Sequence, residues 1–354
     1  MLYRENGQFK SSYVADQQML PIRQDRILMV GLLVFAFGVA PFVVTDYVFL
    51  SMLIPFLILT LAAIGLNLLV GYCGQISIGH AAFMAVGAYA AYNFVVLVPQ
   101  LNFLVVLVLA GLVAAMAGIL FGIPSLRIKG LYLAVATLAA QFFMDWVFAR
   151  VRWFTDYSPS GSVSPANVEV FGWRLDTPVE KYLFLLAVLI VFTILAKNLV
   201  RGHIGRAWMA MRDMDVAAEV IGIRPVYAKL TAFAVSAFFV GVAGALWGFI
   251  HLGSWEPLAF NLTLSLNLLF MVIIGGMGSM LGSYFGAAFI VVLPIILNQV
   301  PAWLGVPIST SMASHLEFMI FGALIVFFLI VEPHGLARLW AIAKEKLRLW
   351  PFPH

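Results

Sequence analysis

Ten stretches of roughly twenty mostly apolar residues divide this chain, and they leave it few ways to fold. They lie at roughly 27–44, 47–70, 77–98, 101–123, 130–149, 181–199, 230–251, 262–280, 283–300 and 315–331. The hydrocarbon core of a bilayer is about 30 Å thick, so about 20 apolar residues in a helix cross it. Barrel strands would instead alternate polar and apolar residues over about ten positions. The expectation is an all-α polytopic integral membrane protein with about ten transmembrane helices. Composition agrees: 63% of the 354 residues are apolar and 10% are charged. A soluble domain carries about 45–50% apolar and about 25% charged residues. The mean hydropathy of +1.03 excludes a disordered chain and an ordinary cytosolic enzyme. The lone Cys73 leaves no internal disulfide framework and no cysteine-rich metal site. The first stretch follows a polar segment, with no small-residue cleavage site before the next, so it reads as a span rather than a cleaved leader.

Positive charge orients the bundle. Ten spans return both ends of the chain to one side. Arg4, Lys10, Arg23, Arg26, Arg127, Lys129, Lys197, Arg201, Arg206, Arg212, Arg224, Lys229, Arg338, Lys344, Lys346 and Arg348 fall on that side. Arg150, Arg152, Arg174 and Lys181 fall on the other. Lys and Arg are retained in cytoplasmic loops, so both termini are expected in the cytoplasm. The net charge of +4 therefore marks no basic face for nucleic acid. The chain divides into an N-terminal segment 1–26, a transmembrane domain 27–331 and a basic tail 332–354.

Two loops are long. An outer loop, 150–180, carries Trp153, Phe154, Tyr157 and Trp173 around Ser158-Pro159-Ser160-Gly161-Ser162. An inner loop, 200–229, contains IGRAWMAMRDMDVAAEVIGI over 204–223. There Ala207, Met211, Met214, Ala218 and Ile221 recur at helical spacing and predict one apolar face. Gly222 before Arg224-Pro225 reads as a helix stop. Such a helix lies on lipid, serves as a solvated connector, or presses its ridge into a groove on a partner. Its mixed charge suits lipid least.

Glycines four apart, as at Gly118 and Gly122, at Gly244 and Gly248, and at Gly278, Gly282 and Gly286, let helices approach closely inside the chain or at a subunit interface. Between the second and third spans, Asn67, Gly71, Gly74, Gln75, Ser77, Gly79 and His80 cluster within fourteen residues. Irregular backbone survives at membrane depth only against protein or a water-filled cavity, and interrupted helices often build transport pathways. The alternative is a tight cytoplasmic turn with polar ends. A weak echo follows, where Asn267-Leu-Leu precedes Gly275-Gly-Met-Gly278 and Ala287-Ala-Phe289.

Asp145 and Glu317, with His315 beside it, sit near the outer ends of their spans. No chain of carboxylates crosses the midplane as a proton relay would. There is no arginine-rich voltage sensor, no selectivity-filter motif and no GxxxxGK[ST] phosphate loop. The six histidines, at 80, 203, 251, 315, 334 and 354, lack metal-ligand spacing. The chain reads as a pathway without its own engine.

Five segments carry a family resemblance: GLNLLVGYCGQISIGHAAFMAVGAYAAY (65–92), LRIKGLYLAVATLAAQ (126–141), IGRAWMAMRDMDVAAEVIGI (204–223), SLNLLFMVIIGGMGSMLGSYFGA (265–287) and VEPHGL (331–336). Together they resemble the permease subunits of branched-chain amino acid ABC transporters, the LivM type of the LivHM permease family. The resemblance implies a non-enzymatic subunit of an ATP-driven importer in a bacterial plasma (inner) membrane. It implies a LivH-type partner permease, two cytoplasmic ABC ATPases and a periplasmic substrate-binding protein. ATP would be bound by the ATPases, with no cofactor in this chain.

Carried over by position, Arg206, Arg212, Asp213, Ala217, Ala218 and Gly222 fall in the family's ATPase-coupling helix. Importers place Glu-Ala-Ala ahead of a glycine there. Here Val216 stands in the Glu position, leaving Asp215 or Glu219 to supply the acid. Asn67, Gly71, Gly74, Gln75, Ser77, Gly79 and His80 fall in the family's most characteristic segment. FTDYSPSGSVS (154–164) replaces a Thr-Gly-Gly-rich stretch of many members. Members carry urea, short amides or aromatic carboxylates as well as leucine, isoleucine and valine, so the solute stays open. Two other classes stand beside this reading. A stand-alone secondary transporter or channel would move solute without ATP, and an integral membrane enzyme would need a polar catalytic cluster at one face.

Overall fold

The computed structural model describes residues 23–128, 130–155, 157–158, 161–165, 169–303, 310–331 and 335–349. Most of segment 1–26, Lys129, Pro159 and Ser160 of the outer loop, and the middle of VEPHGL lie outside them. The described chain is helical, apart from one two-stranded hairpin, β1 (Glu169–Val170) and β2 (Trp173–Arg174). The helices are α1 (Asp25–Val43), α2 (Asp46–Tyr72), α3 (His80–Leu97), α4 (Phe103–Gly122), α5 (Leu131–Arg150) and α6 (Pro178–Arg201). After α6 come two short helices, α7 (His203–Asp213) and α8 (Asp215–Val220). Then follow α9 (Pro225–Leu252) and α10 (Pro257–Gly275). The last three are α11 (Met280–Trp303), α12 (Thr310–Val331) and α13 (Gly335–Leu349).

Nine helices are long and apolar enough to cross a bilayer among the described residues. The tenth expected span coincides with α12, whose described apolar part is Met319–Phe328. Most boundaries match expectation within a few residues. The eighth span is a correction. It ends at Gly275 rather than at residue 280, because Gly276 (φ +121°) and Gly278 (φ +77°) take conformations that leave the helix.

Two helices form the centre. In α2, 89% of the apolar window is buried, and in α9 78%, against 6% in α1. The central α9 packs along α4, α3 and α2, and α11 pairs with α10 and α2. Apolar residues do not drive this choice, since lipid tails are as apolar as leucine. Close backbone approach does. A Cβ on Gly87 of α3 would overlap the Gly241 carbonyl of α9, and one on Gly244 would overlap the Met84 carbonyl. Gly118 and Gly122 face Ala237 and Phe233, and Gly282 and Gly286 face Gly275 and Met271. The glycine pairs therefore pack inside the chain rather than at a subunit interface.

The outer loop folds back on the bundle. Val163 and Trp255 exchange backbone hydrogen bonds, and Ser164 meets Ser254 at 2.9 Å. Thr177 and Glu180 form a capping box that starts α6. At the other end, Lys344 of α13 reaches Asp25 of α1 at 3.0 Å. That contact brings the start and the end of the described chain together.

Gly87→Ala should cost about 1–3 kcal/mol through overpacking against α9. Gly31→Ala, where a Cβ would meet nothing within 4 Å, should cost nothing measurable. Thermal aggregation of the detergent-purified variants checks the pair.

Candidate functional site

The helix before the first break changes form as it ends. Residues Leu68–Tyr72 widen into a π-turn, Gly74 takes φ +73°, and the chain stays irregular until α3 begins at His80. Backbone groups freed this way must be satisfied within the protein. Asn67 does this across the bundle. Its Nδ2 donates to the Ser279 carbonyl at 2.8 Å and to Ser283 Oγ at 3.0 Å. Its Oδ1 accepts from the Gly278 N–H at 2.9 Å. One buried amide thus bolts the α2–α3 break to the α10–α11 break. Gly71 lies at the crossing, where a Cβ would overlap both the Asn67 side chain and Gly278.

The start of α3 is capped by other helices. Its first N–H groups have no partner within the helix. Ala81 N donates to Ser265 Oγ at 2.8 Å, and Ala82 N to Gln141 Oε1 at 2.7 Å. Ser265 Oγ also donates to Gln141 Oε1, at 3.0 Å. Gln141 Nε2 in turn reaches the Phe260 carbonyl and Asp145 Oδ1. Ile78 N donates to Thr137 Oγ1 at 3.0 Å, and Gly79 lies where a Cβ would overlap the Thr137 carbonyl. His80 is enclosed. Ser77 Oγ lies 2.7 Å from Nδ1, Ser236 Oγ lies 2.9 Å from Nε2, and Phe83 meets the ring edge-on. Asn67, Ser77 and His80 therefore work as a buried polar seam. Gln75 differs. Its Nε2 contacts Cys73 Sγ at 3.4 Å, and its buried Oε1 has no partner among the described residues.

The inner loop departs from the expected single helix over 204–223. It breaks at Met214, whose extended backbone (φ −161°, ψ 96°) separates α7 from α8. The break resets the helical phase, so the expected ridge does not hold one face. Met211 and Ala218 turn inward, whereas Met214 and Ile221 are 67% and 74% exposed. Val216 and Val220 join them on the surface. Trp208 anchors α7, fully buried, with its indole N–H on Thr231 Oγ1. Gly222 (φ +92°) closes α8 in a Schellman motif, with Ile223 N bonded to the Ala218 carbonyl and Gly222 N to that of Glu219. Arg206, Asp213 and Ala217 lie on the surface, and Asp213 accepts from Arg212 Nε at 3.1 Å. The other end of Arg212 reaches inward, with Nη1 donating to the Gly71 carbonyl at 2.8 Å.

The structure therefore joins the two residue sets that the sequence kept apart. A cavity of about 310 Å³ lies between them, walled by Cys73, Gly74 and Gln75 on one side and Met211–Asp215 on the other. Ile128, Gly130, Leu133 and Lys229 complete it. A second cavity, of about 470 Å³, opens at the far end of α3 between Tyr92, Phe103, Phe249 and the Glu169–Arg174 ion pair. Among the described residues no cluster of His, Cys, Asp and Glu could hold a metal ion. The partners Thr137, Gln141, Ser236, Ser265 and Ser283 escaped the sequence reading. Their one signal was a polar side chain in an apolar span, which is costly unless paired.

The chain matches the family model described as branched-chain amino acid transport system / permease component over residues 48–329. It is 31% identical to the high-affinity branched-chain amino acid transport system permease protein LivM of Escherichia coli (strain K12), over 88% of this chain and 75% of that one. The protein of the same name from Salmonella typhimurium (strain LT2) is 30% identical, over 79% of this chain and 68% of its own. A probable branched-chain amino acid transport permease protein LivM of Methanocaldococcus jannaschii is 21% identical, over 65% and 66%. No solved structure matches the chain.

Burial pushes the Cys73 thiol up to about 12, outweighing the Gln75 hydrogen bond and the Lys229 charge that lower it. A free thiol titrates near 8.5, so Cys73 stays protonated across physiological pH. Maleimide should label it at least about 100-fold more slowly than a free thiol at pH 7, and unfolding in detergent should restore the rate. Labelling of the native protein at the free rate would mean that the break lies open to solvent.

Proposed function

The chain belongs to the family of permease components of branched-chain amino acid transport systems, and from that premise we propose that it is one transmembrane subunit of an ATP-driven ABC importer. The observation that carries this is the inner loop. A two-helix insert exposes Met214, Val216, Val220 and Ile221 and reaches the broken end of α2 through the bond from Arg212 to the Gly71 carbonyl. An exposed apolar patch of this kind fits a groove on a partner. The charge asymmetry of the loops supports a cytoplasmic position for the insert and for both termini. Together with the missing phosphate loop, this favours an engine on separate chains.

In this reading two cytoplasmic ABC ATPases bind and hydrolyse ATP, with one seated against α8. A LivH-type permease completes the pathway. A periplasmic binding protein delivers solute to the outer face of a bacterial inner membrane. The solute is a branched-chain amino acid, as the names of the relatives suggest. Urea, short amides and aromatic carboxylates are the alternatives that the binding protein's ligand would distinguish. The subunit itself carries no enzymatic step.

Co-expression with its ATPases and partner permease tests the proposal. Val220→Asp and Ile221→Asp should each lower the co-purified ATPase about tenfold, because a buried unpaired carboxylate is strongly disfavoured. Gly222→Pro should abolish uptake, since proline cannot take a positive φ. Full uptake by Gly222→Pro, or ATP-independent uptake by the purified chain alone in liposomes, would overturn the coupling role.

A further inference from the structure

Arg212 joins the exposed insert to the broken helices, and its partner is a carbonyl that the break itself sets free. In an uninterrupted helix the Gly71 carbonyl would accept from Gln75 N. Here Gln75 N bonds instead to the Leu69 carbonyl, at 3.2 Å. Arg212 Nη1 takes up the freed acceptor at 2.8 Å. A cation at the C-terminal end of a helix also meets the negative end of the helix dipole. Both breaks leave room for this side chain. A Cβ on Gly74 would lie 2.8 Å from Arg212 Cγ, and one on Gly278 would lie 3.0 Å from its Nη1. Both glycines have positive φ. The guanidinium thus fits between the two breaks, and Asn67 binds those breaks to each other. On the other side, Arg212 lies two residues before Met214, where the exposed patch begins.

We propose that Arg212 is the positioning residue that transmits movement of the docked insert to the helix breaks, by holding the Gly71 carbonyl. The proposal rests on the coupling role argued above and names the contact through which it acts. The docking patch on α8 and the Arg212 contact are separate surfaces, so each can fail alone. A static cap would also explain a hydrogen bond to a free carbonyl. It would not make the response of the break to ATP depend on Arg212.

The test uses the complete complex with wild-type, Arg212→Met, Arg212→Lys and Gly74→Ala chains. The first readout is Cys73 labelling by maleimide with and without ATP, because Cys73 lies inside the break and needs no identified solute. The second is leucine uptake per ATP hydrolysed in proteoliposomes. ATP should change the wild-type labelling rate by about threefold or more, through the thiol's exposure. In Arg212→Met this response should vanish although the ATPase stays bound, and leucine moved per ATP should fall about tenfold, the worth of one charge-assisted hydrogen bond. Arg212→Lys, which keeps a donor, should restore most of the response. Gly74→Ala, which crowds Arg212 from the opposite side, should lose it.

A wild-type response in Arg212→Met overturns the proposal, as does a wild-type complex whose Cys73 ignores ATP. If Arg212→Met does not assemble, a full response in Gly74→Ala overturns it instead. A wild-type chain that retains no ATPase would strike the importer reading itself.

Discussion

A backbone that leaves its helix while packed inside a protein must find its hydrogen bonds there, and this requirement organises the molecule. Each buried group left unpaired costs about 1–3 kcal/mol. Two breaks, at 73–79 and 276–279, meet it together. Asn67 spends both donors and its acceptor on Ser279, Ser283 and Gly278. Ser265 and Gln141 cap α3, and Ser77 and Ser236 enclose His80. Asn67, Ser265 and Gln141 answer backbone groups exposed by the breaks, and Ser283 and Ser236 hold the side chains of Asn67 and His80 in place. The positions of six helices follow from those pairings, since a donor and its acceptor must come within about 3 Å.

Glycine supplies the other half of the constraint. Hydrogen bonds between α3, α9 and α10 form only if the backbones come close, and Gly87 against Gly241 and Gly244 against Met84 set that distance. This explains why α9 is central although its sequence is not the most apolar. Phe103–Gly122 has a mean hydropathy of 2.9 against 2.0 for Pro225–Leu252, yet is buried half as much. In lipid, small residues rather than greasy ones mark the inside.

The same fact decides what was legible in the sequence. The spans were legible, because length and apolarity alone bring a helix into a bilayer. The first break was legible because glycines and polar residues cluster at 67–80. Which face of each span is buried was not, because lipid and protein interior select the same residues. Ser236 and Thr137 are single polar residues in apolar spans, and only the fold reveals their partners, the His80 ring and the Ile78 N–H. The inner loop misled for a different reason. Ala207, Met211, Met214, Ala218 and Ile221 keep helical spacing across Met214, but an extended residue there turns α8 out of phase with α7. The echo at Asn267 was also partly misleading. Asn67 precedes Gly71 by four residues and Asn267 precedes Gly275 by eight, about one turn more. Asn267 therefore cannot repeat the Asn67 bracket, and its Oδ1 finds no partner among the described residues.

A seam with its polar groups already paired has a mechanical consequence. Moving one break without the other would orphan the Gly278 N–H and the Ser279 carbonyl, at about 1–3 kcal/mol for each buried group. The two breaks are therefore stiff toward each other and move as a unit more cheaply than they separate. A single handle on that unit suffices to move both, and the contact that reaches it from the exposed insert is the bond from Arg212 to the Gly71 carbonyl. The seam also has little left to offer a solute. Asn67, Ser77 and His80 are committed to the fold, and the open acceptor within it is Gln75 Oε1, at the wall of the cavity beside Arg212.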